Sequence, residues 1–170
     1  MYPSQQFQQP CWDRTATNVA TANHKANCLM TRSRFHLAIP VDDLDIARRF
    51  YRDVVGLREG RSASAWVDFD LFDHQLVIHE VARTNTAVAG TNPVDGDQVP
   101  VPHFGVILSP DDFSAFATQL QDRGVEFVIE PHVRFAGEVG EQHTMFFLDP
   151  CGNALEFKAF ADDDQVFATK

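Results

Sequence analysis

The chain of 170 residues is short of cysteine, of positive charge, and of tyrosine and tryptophan. Its three cysteines, Cys11, Cys28 and Cys151, share no metal-binding spacing. An odd count gives no disulfide framework, and a reducing, cytoplasmic setting fits best. Fourteen basic residues face 24 acidic ones, a formal net charge of -10. The densest basic group, Arg48, Arg49 and Arg52, falls on a helical pattern. Duplex nucleic acid and anionic membrane are held by patches of positive charge, so neither is expected as a partner. A small anionic substrate stays open, because a local field can oppose the net charge. No apolar run reaches the roughly 18 residues a membrane span needs. Phosphate loops, dinucleotide fingerprints and zinc-finger spacings are missing. Fifteen phenylalanines against two tyrosines and two tryptophans make the aromatic content mainly core filling.

What is present is enough hydrophobic sequence, 44%, to bury one domain core without staples. Residues 1–31 are rich in Gln, Asn, Thr and Ala and lack periodicity. They read as a flexible extension, with organelle targeting as the weaker reading. From Phe35 the pattern sharpens. FHLAIPV reads as a strand. Asp42 and Asp43 then cap a helix with Leu44, Ala47, Phe50, Tyr51, Val54 and Val55 on one face, ended by Gly56. AWVDFD alternates, placing Trp66 opposite Val67 and Phe69, and QLVIHEV reads as the next strand after a polar break at Asp73 and His74.

Residues 83–101 read as a linker. The order then repeats. HFGVIL is a strand, and Ser109-Pro110-Asp111-Asp112 opens a helix. That helix carries Phe113, Phe116, Ala117 and Leu120 on its apolar face. EFVIE, HTMFFL and ALEFKAF are strands, the last two joined by the DPCGN turn. Setting His36 on His103 aligns FHLAIPVDD with HFGVILSPDD. The chain is therefore two diverged copies, a module over 32–82 and a module over 102–165, within one domain over 32–165. Such a repeat implies a pseudo-twofold axis.

Three side chains could hold a metal. His36 and His103 occupy the same register in equivalent strands. Glu156 lies between Leu155 and Phe157, and alternation turns it to the other face. A carboxylate there is costly unless it is paired or bound to a cation. Two imidazoles and one carboxylate with open positions suit Fe(II), and also Mn, Zn, Ni or Co. The polar segment EPHVRFAGEVGEQH (130–143) reads as a specificity loop. It offers Arg134 as a bidentate contact for a substrate anion, and His143 with Glu141 as acid–base candidates. Lys158 shares Glu156's face. Cys151 belongs to the turn, and His74 to the surface.

FHLAIPVDDLDIARRFYRDVVGL and FFLDPCGNALEFKAF resemble the module-opening and module-closing segments of the vicinal oxygen chelate superfamily. That superfamily comprises glyoxalase I, bleomycin- and fosfomycin-resistance proteins and extradiol dioxygenases. The resemblance covers roughly three quarters of the chain. It implies an α+β fold, two tandem βαβββ modules forming a cupped, partly open mixed-sheet barrel with helices outside. It also implies one divalent metal, with Fe(II) favoured weakly, on His36, His103 and Glu156. The fourth ligand position of glyoxalase I falls on Val77, with His79 two residues on as a fourth-ligand or cavity candidate. The tyrosine of ring-cleaving members falls on Phe146. The expected function is a glyoxalase- or dioxygenase-type enzyme acting on a small anionic or aromatic substrate chelated through vicinal oxygens. The alternatives are a glyoxalase I-like lyase, a small-molecule transferase, or a metal-free binding protein of the bleomycin-resistance type. A homodimer is compatible with the modular repeat.

Overall fold

Asp43 opens the first helix. Its carboxylate accepts from the Ile46 N–H at 2.9 Å, satisfying a donor that every helix start leaves without an internal partner. Helix α1 (Leu44–Arg49) runs on through π-helical turns over Phe50–Val55. It stops at Gly56, whose φ of 87° is the left-handed conformation that glycine adopts without a Cβ penalty. Ser109 caps α2 (Pro110–Asp122), accepting from the Asp112 N–H. The four expected apolar residues of α2, Phe113, Phe116, Ala117 and Leu120, are all buried. These elements belong to a computed structural model that describes residues 33–82 and 90–169. The extension expected over 1–31 lies outside the described residues.

The first module is β1 (His36–Val41), α1, β2 (Arg58–Ala63), β3 (Trp66–Leu71) and β4 (His74–Glu80). Its sheet has the order β1-β4-β3-β2, with β1 parallel to β4 and the other pairs antiparallel. Between the modules lies a hairpin, β5 (Gly90–Val94) and β6 (Asp97–Val101). The second module is β7 (His103–Phe104), β8 (Ile107–Leu108), α2, β9 (Phe127–Arg134), β10 (Gln142–Leu148) and β11 (Ala154–Phe160). Its sheet repeats the first, with the opening strand again parallel to the closing one and the order β7-β11-β10-β9. The fold is thus two βαβββ modules with mixed, partly open sheets and a helix on one face of each.

Three local expectations differ from the structure. HFGVIL is broken at Gly105 and Val106 into two short strands, because the chain passes against the backbone of Glu156 at Gly105. EFVIE extends to Arg134, which brings His132 and Arg134 into a strand and leaves a shorter loop over 135–141. Pro131 does not stop β9, since an edge strand has no outward ladder partner to lose and tolerates proline. Within the segment read as linker, residues 90–101 fold as a hairpin around Asp95 and Gly96, both at positive φ. An Asp-Gly pair is a strong two-residue hairpin signal.

Alternation sorts each strand into two faces. Val67, Phe69, Leu76 and Ile78 from the first sheet join Met145, Phe147, Leu155 and Phe157 from the second in one core with both helices. The opposite faces of both sheets therefore point away from that shared core, and His36, His103 and Glu156 lie on them.

Candidate functional site

Glu156 is only 6% exposed, turned away from the inward-facing Leu155 and Phe157 of its own strand. His103 pairs in register with Ala154 of β11, which sets its ring on the same face. The two meet, His103 Nε2 standing 3.1 Å from Glu156 Oε2. Lys158 Nζ is also 3.1 Å from Oε2, and Thr144 Oγ1 donates to Oε1 at 3.0 Å. Burial alone would push the Glu156 carboxyl up. The hydrogen bond with His103 and the charge of Lys158 outweigh it and hold the group below the usual carboxylate range. The same hydrogen bond, the largest influence on His103, raises its imidazole against the opposing effect of burial.

The far side of the His103 ring fixes its chemistry. Nδ1 lies 2.6 Å from the Pro100 carbonyl oxygen. A carbonyl can only accept, so Nδ1 carries the hydrogen. In the neutral ring Nε2 is then a lone pair aimed at a carboxylate oxygen. That contact is favourable only with a second proton on the ring or with a cation bound by the two groups. An imidazole anchored through Nδ1–H and an adjacent carboxylate fit a divalent metal by donor type.

His36 is not brought to this pair. It lies on the outward face of β1, where its Nδ1 contacts Gln75 Oε1 at 2.8 Å. It borders a separate hollow of about 390 Å³ with Arg58 and Asp70. Among the described residues, no group of three His, Cys, Asp or Glu side chains gathers within the one chain. Val77 is buried at 5% exposure, and the exposed His79 stands opposite Trp66 and Pro40. Both lie on the outward face of the first sheet, away from Glu156.

The remaining candidates separate. Arg134 is 3% exposed, donates to Asp97 Oδ2 at 2.7 Å and lies over the Phe146 ring. His143 is on the opposite face of β10 from Thr144, with its ring against Phe113 of α2. Glu141 accepts from the Gly137 N–H at 2.6 Å and braces the loop. Phe146 is directly opposite Glu156 in the ladder and meets the His103 ring edge-on. Burial pushes the Cys151 thiol up, the opposite of nucleophile activation. Sequence reading missed Thr144 and Asp97. The alternation of QHTMFFL could have placed Thr144 beside Glu156, whereas nothing local links Asp97 to Arg134.

Paired βαβββ modules with mixed sheets and outer helices are the architecture of a superfamily that includes metal-dependent and metal-independent enzymes. Residues 34–157 match the glyoxalase/bleomycin resistance protein/dioxygenase superfamily, and the chain belongs to it. Its fold is similar to the crystal structure of a glyoxalase/bleomycin resistance protein/dioxygenase from Alicyclobacillus acidocaldarius. There the identity is 33% and the TM-score 0.69, over 80% of this chain and 97% of that one. A lactoylglutathione lyase from Agrobacterium tumefaciens shares the fold at 18% identity and TM-score 0.53, over 81% and 98% of the chains. A fosfomycin resistance protein from Listeria monocytogenes shares it at 15% identity and TM-score 0.56, over 80% and 98%. No curated protein matches the chain. Among the described residues no helix is long and apolar enough to cross a membrane.

Proposed function

We propose that this protein is a divalent-metal enzyme of the glyoxalase/dioxygenase type, acting on a small cytoplasmic substrate chelated through vicinal oxygens. The observation that carries this reading is the His103 ring, anchored at Nδ1 by the Pro100 carbonyl, with Nε2 3.1 Å from the buried Glu156 carboxylate. His103 and Glu156 would supply two ligands. His36 would supply the third from a second copy of the chain. The support is that His36 and the His103–Glu156 pair lie on sheet faces that both turn away from the shared core. Apposing the first sheet of one copy to the second sheet of another brings such faces together, and the twofold operation does so twice.

Bound there, a divalent metal supplies Lewis-acid polarisation of the substrate's adjacent oxygens, and iron extends that to oxygen chemistry. Fe(II) is the metal favoured, and Mn, Zn, Ni or Co suit the same donors. Lys158 places a positive charge beside the centre, suited to an anionic substrate group. Phe146 supplies an apolar wall and no hydroxyl, so a ring-cleaving reaction would draw its proton transfers from another group.

A second reading rests on Lys158. Its ammonium already neutralises the Glu156 carboxylate, an arrangement equally suited to a metal-free binder of small anions. Metal analysis of anaerobically purified protein, with Co(II) titration of wild type and Glu156→Gln, separates the two. One metal per chain in wild type, with weakened uptake in the variant, supports the enzyme. Turnover of catechols or of hemithioacetals then selects dioxygenase or lyase. Absence of stoichiometric uptake overturns the metal reading.

A further inference from the structure

The β5–β6 hairpin lies across the face that carries Glu156. Its apolar adhesion rests on a few residues, Val99 and Pro100 being buried. Val94 and Val99 pack on Ile129 and Phe146, while Thr91, Asn92 and Pro93 are exposed. A two-stranded hairpin is marginal without anchors. The polar anchors sit at its turn. Asp95 Oδ2 accepts from the Phe135 N–H at 2.7 Å. The Asp97 carboxylate takes a hydrogen bond from Arg134 at 2.7 Å and stands 3.1 Å from His132 Nε2. Arg134 is almost wholly buried, so this pair is shielded from solvent in a way that surface ion pairs are not.

From Asp97 two routes lead to His103. Along β6, three residues on, Pro100 presents the carbonyl that accepts the His103 Nδ1–H. Through side chains, the Arg134 guanidinium lies 5.9 Å from the centre of the Phe146 ring. The edge-on contact of that ring with His103 has a centroid spacing of 5.2 Å. Both routes act on the orientation of one imidazole.

We propose that Asp97 is a positioning residue for the His103–Glu156 centre, clamping the hairpin so that the Pro100 carbonyl holds Nδ1 protonated and leaves Nε2 as the ligating atom. The proposal rests on the reading of that pair as a metal centre, but its primary consequence is a property of the metal-free ring. Without the clamp the hairpin lifts, Pro100 withdraws, and the ring loses its anchor at Nδ1. Outer partners of this kind typically carry about a 10- to 100-fold effect on metal affinity.

The test uses full-length wild type, Asp97→Ala and Asp97→Asn. Imidazole ¹⁵N NMR of the metal-free proteins reports whether the His103 Nδ1–H is hydrogen-bonded to Pro100. Wild type is expected to show that hydrogen bond, and Asp97→Ala its loss, with Co(II) affinity lowered about 10- to 100-fold. Asp97→Asn keeps the shape and an acceptor for Arg134, so it gives a smaller change in the same direction and serves if the alanine variant fails to fold. An intact Nδ1–H hydrogen bond and wild-type Co(II) affinity in the folded variants overturn the role of Asp97 while leaving the metal centre standing. Loss of that hydrogen bond in a protein whose wild type takes up no metal supports the clamp and overturns the metal reading instead.

Discussion

The Tyr51 hydroxyl donates to Asp149 Oδ2 at 2.8 Å, tying the helix of the first module to the closing turn of the second. Asn153 adds a parallel tie, donating from Nδ2 to the Pro40 carbonyl at 3.0 Å and to Asp149 at 2.7 Å. The DPCGN turn is therefore more than a strand connection. Its aspartate collects hydrogen bonds from both modules.

This tie carries a pH signature. Tyr51 is fully buried, and burial first, then the charge and hydrogen bond of Asp149, push its phenol well above the ordinary value of 10.0. With the folded value above the unfolded one, the stabilisation is whole below pH 10 and is lost as pH rises beyond it. Urea unfolding of wild type is expected to show stability dropping above about pH 10. Tyr51→Phe should cost about 1.5–3 kcal/mol at neutral pH and flatten the alkaline fall. Equal alkaline slopes in the two proteins would assign the loss to other groups.

The faces of the strands were legible in the sequence, and the meeting of faces was not. Period-two alternation set Val67 and Phe69 on one face and Trp66 on the other, leaving open which was inside, and the helical period picked out Phe113, Phe116 and Leu120. Both readings depend only on near neighbours along the chain. The same logic aligned His36 with His103 and set Glu156 apart from Leu155 and Phe157. It carries no information on which outward faces oppose one another, so it could not decide whether His36 meets Glu156 within one chain. Asp97 escaped for a related reason. Its partner Arg134 is 37 residues away, and a short polar stretch with two prolines resembles a linker until tertiary contacts hold it.

Gly105 gives a prediction about the centre's backbone. A Cβ built there would lie 1.5 Å from the Glu156 carbonyl oxygen. Backbone on both sides cannot yield as a flexible side chain would. Gly105→Ala should force β7 away from β11, widening the His103–Glu156 contact and costing about 1–3 kcal/mol or more of stability. Thermal melts and Co(II) titration check it. A variant with unchanged melting and unchanged metal affinity would show that the strands adjust freely.

Lys158 predicts effects of opposite sign on metal and anion. Its ammonium competes for the carboxylate oxygen that a metal would use, and it repels a dication nearby. Lys158→Met should strengthen Co(II) binding by about tenfold or more, since like charges at such range interact strongly in a half-buried setting. The same change should weaken binding of an anionic ligand such as a catecholate. Calorimetry with each ligand measures both. A fall in metal affinity would mean that the lysine supports the centre through packing of its stem.

The proposed shared centre makes a quantitative prediction about mixed variants. His36→Ala and Glu156→Gln each damage every site in their own homodimer if His36 comes from the opposite copy. In a mixed dimer one site receives both defects. The other receives His36 from the Glu156→Gln copy and an intact His103–Glu156 pair from the His36→Ala copy. With free exchange of subunits, half of all dimers are mixed and each holds one sound site of two. Mixing equal amounts should therefore restore about a quarter of the wild-type number of high-affinity Co(II) sites. If all three ligands came from one chain, the mixture would regain nothing, because no copy carries both residues. Recovery of metal sites on mixing, read beside dimer mass in solution, thus tests where His36 acts independently of substrate. Failure to recover, in variants that exchange subunits normally, would put all three ligands on one chain, whereas full Co(II) binding by His36→Ala alone would place His36 outside the centre.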